Sequence, residues 1–585
     1  MSVSFNAATT FTIGHAPSSI VVTDLNKDSI LDILVGGNAS SIFGFPLPEG
    51  SLSVLLGNGS GQFGSPILSS SPQFGRASSI AVGDFDGDGN SDLISLGNIF
   101  GVSASNFFLA LGDGKGGFTP SKNLILGGTP QSVAVGDIDK DGALDAVVAE
   151  GDSSVSILLG NGKGDFKSNS GIAVDGNVSD VVLRDVNGDQ GLDLAILSTI
   201  GSGSDRTSQF QILQGDSQGS FTPQDPVDLG TGNYGASDLT LADLNGDGRL
   251  DAIALVGNQM TVLLSSPSQE FQPVFATQLL ANNISTGDFN GDGRIDIVAS
   301  LQSGSNGTAI LLGNGKGYFS RPATFLPQSN FGSSIVTGDF NRDSKLDWAS
   351  INPGFREVAV SLNSTTVKDS IAQGVQNGVG YIDASSEESG KVTIDLTKGT
   401  FVLEGTTRIT RSIRNVDEAI GTIFDDSMTG NKRNNLLNGF AGRDELLGED
   451  GDDRLVGGAS NDQLEGGDGK DRFIFTTTPN YPEGLNQPFR KALLGVDRIL
   501  DFERGKDQIV LDQGSFTEVD KKVKFDSVDS IKEARTSSGI ITYIRDSGKL
   551  FYNPNGSRSG FGEGGLFAVL EGDVNLGRKD FSVFL

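Results

Sequence analysis

Asp84-Phe-Asp86-Gly-Asp88-Gly89-Asn-Ser-Asp92 carries carboxylates at its first, third, fifth and ninth positions. Six further copies of this nonamer start at Asp24, Asp137, Asp185, Asp243, Asp288 and Asp339, spaced 45 to 60 residues apart. Seven recurrences at a period near fifty predict a stacked or radial repeat protein.

Oxygen ligands at alternate positions of a tight turn suit a hard cation such as calcium, and Gly at the sixth position lets the chain reverse inside the ligand ring. The candidate ligands are Asp24, Asn26, Asp28 and Asp32; Asp84, Asp86, Asp88 and Asp92; and Asp137, Asp139, Asp141 and Asp145. They continue as Asp185, Asn187, Asp189 and Asp193; Asp243, Asn245, Asp247 and Asp251; Asp288, Asn290, Asp292 and Asp296; and Asp339, Asn341, Asp343 and Asp347. The spacing resembles an EF-hand loop, which ends in a bidentate Glu at position twelve. Here that position holds Val35, Ser95, Val148, Ile196, Ala254, Ala299 or Ser350, so no copy is an EF-hand. Alternating runs such as Ser79-Ile-Ala-Val-Gly83 before the loops, and apolar ones such as Ile33-Leu-Val35 after them, predict hairpins.

Asp, Asn and Gly are also ordinary turn formers. Electrostatics argues for a cation: four carboxylates make six like-charge pairs, each costing roughly 1 to 4 kcal/mol at about 4 Å. A whole domain is stable by only about 5 to 15 kcal/mol. Ser29, Gln190 and Ser344 replace the sixth-position glycine, which marks those three sites as weaker.

The 585 residues hold 73 acids against 43 bases, a formal charge of −30. Much of that acidity is ligand supply, and it disfavours nucleic acid as a partner. There is no cysteine, no apolar run of membrane-spanning length and, at Met1-Ser-Val-Ser-Phe5, no basic segment followed by an apolar core. The expectation is an address other than an N-terminal export signal.

A longer unit surrounds each loop. In the first, Ser53-Val-Leu-Leu-Gly-Asn-Gly-Ser-Gly-Gln-Phe63 follows the hairpin, and it returns at Ala110 to Phe118, Ile157 to Phe166, Ile212 to Phe221 and Ile310 to Phe319. A further stretch after each Phe gives about four strands per unit, as in a propeller blade. The seventh unit stops after Val358-Ala-Val-Ser-Leu362, and Phe5 to Ile13 is the expected substitute for its outer strand. Seven such units resemble the FG-GAP repeats of the integrin α-chain propeller, over residues 1–363. The resemblance implies calcium in hairpin loops on one face and ligands approaching the other. Connections on that other face include Ser40 to Pro48, Asn98 to Gly101 and Gly201 to Arg206, with Phe43, Phe45 and Phe100 as a candidate recognition patch.

Residues 364–390 are polar and read as a linker. From Gly421 the chain then steps in nines through Gly430, Gly439, Gly448, Gly457 and Gly466. The sixth position holds Asp426, Asn435, Asp444, Asp453, Asp462 and Asp471, and the eighth Met428, Leu437, Leu446, Leu455, Leu464 and Phe473. This register predicts a parallel β-roll over 391–475 that binds calcium through the Asp series, with Asn435 and Ser460 departing from it. The repeats resemble the RTX, or haemolysin-type, repeats of bacterial secreted proteins. The resemblance implies a β-rich cap over 476–585 carrying an uncleaved signal for type I secretion.

The fold class expected is therefore all-β: a seven-bladed propeller, then a roll, then the cap. The single histidine, His15, precedes Ala16-Pro17 in a connection, which excludes a His-Glu-x-x-His zinc site and leaves little for a triad. The expected function is a secreted calcium-binding adhesion or binding protein, and not an enzyme, with an extracellular protein or glycan as ligand. The alternatives are a structural surface-layer component and a hydrolase carried on the propeller.

Overall fold

The computed structural model describes the chain apart from residues 1–2, 39–49, 72–73, 75–76, 99–104, 152, 169–170, 233–234, 303–306, 321–322, 326–332, 366–371, 377–378, 386–389, 406–407, 478–493, 520–522, 557, 559, 563, 573 and 585. Each nonamer joins the first two strands of an antiparallel sheet. In blade one the order is Ala16–Thr23, Asp32–Asn38, Gly50–Leu55 and Ile67–Ser71, with Asp24 directly after the first strand. The ninth-position Asp opens the second strand in every blade, from Asp32 to Asp347. Blades three and four add a short fifth strand, Ile172–Ala173 and Val227–Gly232, each pairing with the third.

The seventh blade closes as expected. Thr9–Thr12 pairs antiparallel with Glu357–Ser361, from Thr9 opposite Val360 to Thr12 opposite Glu357, and Phe5 bridges Asn363. Ring closure removes the open edges that a chain of blades would expose. Each inter-blade seam has its own apolar cluster. Leu34, Leu52 and Val54 of blade one meet Ile80, Leu93 and Ala110 of blade two, and Ile20, Ile33 and Val35 meet Ile351, Val358 and Val360 across the closing seam. Gly338, at the end of the seventh inner strand, leaves room for Leu31 of blade one; a Cβ there would collide with it.

Polar side chains at bulges in the inner strands stitch neighbouring blades. Ser19 Oγ donates to the Ala77 carbonyl at 2.7 Å, and Asp180 accepts from Ser132 Oγ at 2.6 Å and Leu239 N at 2.9 Å. Asp238 accepts from Asn283 Nδ2 at 2.7 Å and Ile284 N at 2.8 Å, and Asn283 Oδ1 accepts from Ile335 N at 2.9 Å. His15 sits in a bend, yet its ring is buried against Gly37, and burial lowers it to about 4. Phe43, Phe45 and Phe100 lie outside the described residues.

Successive nonapeptides alternate between two sheets, so parallel neighbours are two units apart: Leu437 faces Leu455, and Leu446 faces Leu464. All six eighth-position side chains are buried in the roll's core. One sequence reading differs from the structure. Val379–Asp383, within the stretch read as a linker, pairs parallel with Glu418–Ile420 and antiparallel with Ala372–Gln376. The β-rich region beyond 475 continues both sheets, through Gln508–Asp512 and Phe581–Phe584 in one and Asp497–Ile499 and Gly565–Leu570 in the other. A roll's end strands are open edges, and these flanking strands cover them. Among the described residues, no helix is long and apolar enough to cross a membrane.

Candidate metal centres

The propeller loops are shaped by their own backbone. Around Asp84, Gly87 N and Gly89 N donate to Oδ1 and Oδ2, both at 2.8 Å, Asp88 N donates to Asp86 Oδ1 at 3.0 Å, and Asn90 N to Asp88 Oδ1 at 2.7 Å. These donors offset part of the repulsion between the carboxylates. The sixth position is left-handed in all seven loops, including Ser29 (φ 65°), Gln190 (φ 70°) and Ser344 (φ 65°). Losing the glycine thus costs about 1 kcal/mol or more of strain but keeps the loop's shape.

Position three, rather than position six, divides the loops. Carboxylate oxygens of Asp84, Asp86 and Asp88 lie within 4.8 Å of one another, as do those of Asp137, Asp139 and Asp145. In the five loops with Asn at position three the charge is lower, and four of those amides donate to the fifth-position carboxylate: Asn26 to Asp28, Asn187 to Asp189, Asn245 to Asp247 and Asn290 to Asp292, at 2.8 to 3.0 Å. In loops five and six the same carboxylate also pairs with an arginine, Arg249 with Asp247 and Arg294 with Asp292. The most anionic open clusters are therefore loops two and three.

The ninth-position carboxylates hold the blades as well as facing the loops. Asp92 accepts from Phe85 N at 2.9 Å and Gly112 N at 2.8 Å, which ties the loop to the turn after the third strand. Asp32, Asp145, Asp193, Asp251, Asp296 and Asp347 repeat both bonds. Burial raises Asp145 and Asp347 to about 6 and Asp296 well above its ordinary value.

The roll is built differently. Asp444 Oδ1 accepts from Asp426 N, Asp453 Oδ1 from Asn435 N, Asp462 Oδ1 from Asp444 N and Asp471 Oδ1 from Asp453 N, each at 2.7 to 2.9 Å. Among the described residues, Oδ2 of Asp444, Asp453, Asp462 and Asp471 is buried without a hydrogen bond. A Cβ on Gly448 or Gly466, the first residue of the unit, would come within 2.5 Å of the Asp453 or Asp471 Oδ2. Each glycine therefore leaves a space beside an orphaned carboxylate oxygen, and that donor set fits a hard cation. Burial, and then Asp426 and Asp462, push Asp444 up to about 11; burial brings Asp453 and Asp462 to about 7 and Asp471 to about 6. Asp426, raised to about 7 by burial, is already satisfied by Thr422 N at 2.5 Å and Val392 N at 2.6 Å, and Asn435 Oδ1 takes Asn431 N at 2.7 Å. The first two units thus close on protein donors.

The ladder also runs past the repeats. Asp497 accepts from Asp462 N at 3.2 Å and Asp507 from Asp471 N at 3.0 Å. Their signal in the sequence was an Asp before an apolar strand, Asp497-Arg-Ile and Asp507-Gln-Ile, beyond the six consecutive nonapeptides. On the roll's outside a concavity of about 540 Å³ is lined by Arg454, Lys470, Arg472 and Lys506 with Asp452. Glu418 pairs with Arg454 and Glu503 with Lys506, so its charge nearly balances.

Comparison with known proteins agrees with both arrays. The profile for FG-GAP-like repeats matches residues 42–95, 98–148, 137–196, 185–254 and 288–350. That for the RTX calcium-binding nonapeptide repeat matches 420–455 and 447–475. No curated protein matches the chain. Similar solved structures include one of BBS1N in complex with ARL6DN, at 12% identity over 62% of this chain and 98% of that one, with a TM-score of 0.42. Another is a protein from Lactobacillus plantarum, at 12% identity over 57% and 96%, with a TM-score of 0.37. The chain is a seven-bladed propeller of FG-GAP-like repeats followed by RTX calcium-binding repeats.

Proposed function

We propose that this is a secreted, calcium-stabilised binding module that engages an extracellular protein or glycan through its propeller. The observation that carries the reading is the row of four buried carboxylate oxygens without partners in the roll. A buried polar group left unpaired costs about 1 to 3 kcal/mol, and more when charged, so the roll needs a cation to be stable in its ionised form. Where calcium is scarce the Gly-rich repeats stay unfolded, and where it is plentiful binding free energy becomes folding free energy. That dependence suits a chain that crosses an export channel before it folds. The propeller supplies the rigid frame, with inter-strand connections opposite the calcium loops as the recognition surface. Most motif-placed acids are committed to loops and ladder, which favours binding over catalysis.

The test is a screen of immobilised glycans and extracellular proteins with the monomeric full chain at saturating calcium and in chelator. Saturable binding by the monomer, strengthened by calcium, is expected. Calcium-driven self-assembly with no separate ligand would replace the reading with a surface-layer role.

A further inference from the structure

An aromatic contact joins the two calcium arrays. The ring of Phe440 packs edge-on against Tyr318 of blade six, with centroids 5.7 Å apart and planes at 88°. Phe440 is the second residue of the unit Gly439 to Leu447, a position taken by Gly458 and Gly467 two and three units later. All three are left-handed, at φ 72°, 100° and 91°. Glycine adopts that conformation freely, whereas phenylalanine is strained in it. The ring is nevertheless only 3% exposed, although it projects from a turn of the roll. Glu449, one unit later, is also left-handed at φ 72° yet exposed, so the repeat's turn sets the backbone and the propeller accounts for the burial of the Phe440 ring.

The contact is wired to a candidate cation site on each side. In blade six, Tyr318 N donates to Asn314 Oδ1 at 3.2 Å, Asn314 N donates to the Tyr318 carbonyl at 3.0 Å, and Gly313 N donates to Asp296 Oδ1 at 2.8 Å. Asp296 is the ninth residue of the Asp288 loop. In the roll, Phe440 follows Gly439, the glycine whose missing Cβ leaves space for the orphaned Oδ2 of Asp444. Loop six also differs from the other six in exposure: Asn290 is 3% exposed, whereas the third-position residues of the others are all half-buried. Phe289 of that loop shares a cluster with Trp348, so the only tryptophan reports on this corner.

We propose that the roll docks on the calcium face of blade six through Phe440 and Tyr318, so that cation loading of the roll and of loop six are coupled. This rests on the calcium reading of both arrays. Calcium at Asp444 fixes the turn that presents Phe440; the ring in turn fixes Tyr318 and the Gly313 to Tyr318 turn that closes over Asp296. Linkage makes the effect reciprocal: whatever loading the roll does for loop six, loading loop six does for the roll.

The test is calcium titration of the full chain, following Trp348 emission for the propeller and far-ultraviolet circular dichroism for the roll. Phe440→Gly removes the ring and also its backbone strain, so the roll still folds with calcium. The Trp348 midpoint is then expected to move about fivefold or more to higher calcium, the lower end of ordinary allosteric couplings. Tyr318→Ala should move it in the same direction with the roll's sequence intact. A Trp348 midpoint unchanged in both variants, or a Trp348 signal indifferent to calcium while the roll folds, would overturn the coupling alone. No response of either signal in the parent chain would overturn the calcium reading beneath it.

Discussion

The chain carries two arrays of regularly spaced aspartates, and they relate to folding in opposite ways. In the propeller the acids of Asp84, Asp86 and Asp88 are reached by backbone N–H groups of their own loop, and the fold rests on apolar seams between blades. In the roll the acids are inside: Asp444, Asp453, Asp462 and Asp471 are each at most 1% exposed, with one oxygen unpartnered. The lesson is that acid periodicity alone does not tell whether a cation decorates a fold or creates it. A buried carboxylate oxygen left without a donor does.

Chelation should therefore split the molecule, and it is the largest effect expected. In excess chelator at neutral pH, residues 391–585 should lose their β-signal and become open to protease. The propeller should stay resistant, with Trp348, 1% exposed in the native fold, remaining in an apolar setting and showing only the limited emission shift that emptying loop six produces. Simultaneous loss of both would show that the propeller too is built on its cations and would erase the contrast.

A smaller effect separates ligand from staple within the propeller. Asp92→Ala strands two buried donors, Phe85 N and Gly112 N. At about 1 to 3 kcal/mol for each unsatisfied group, urea unfolding in chelator should show a loss of about 2 to 6 kcal/mol. Asp88→Ala, in an exposed part of the same loop, should cost less than about 1 kcal/mol in chelator and act mainly on calcium affinity. Equal costs would mean that position nine has no structural role beyond the site.

Much of this organisation was legible because repetition multiplies a weak signal. The blade count, the borrowed strand at Thr9–Thr12 and the six inward-facing residues from Met428 to Phe473 all follow from periodic positions. What was not legible depends on contacts across the period. Val379–Asp383 looked like a linker because polar flanks hide a strand that pairs with Ala372–Gln376 and, far along the chain, with Glu418–Ile420. Asp497 falls out of the nine-residue phase and Asp507 is separated from the repeats by the intervening segment, though the ladder receives them as it receives Asp462 and Asp471. The dual role of the ninth-position Asp was hidden too, since its partner glycines lie 15 to 25 residues further on, as in Gly160 and Gly57.

The smallest expected effect concerns acids in the propeller that bind no loop at all. Asp180 and Asp238 sit on adjacent inner strands, where burial raises both and Asp180 raises Asp238 further. Their hydrogen bonds from Ser132, Val181 and Leu239, and from Asn283 and Ile284, act the other way. Folded values above the unfolded one mean that folding favours the neutral form, so this contribution is complete at low pH and is lost as pH rises. The window opens near the ordinary carboxyl value of 3.8 and closes at about 6 for Asp180 and about 8 for Asp238, so the part above pH 6 is carried by Asp238. The chelator-resistant propeller transition should accordingly fall between pH 6 and pH 9, by of order 1 kcal/mol or roughly 2 to 4 °C. The slope should persist in saturating calcium, because neither carboxylate belongs to a loop. A flat profile would mean that the stitching donors already carry the pair in its ionised form. The propeller would then tolerate buried charge by hydrogen bonding alone, which the roll, with its unpartnered oxygens, does not.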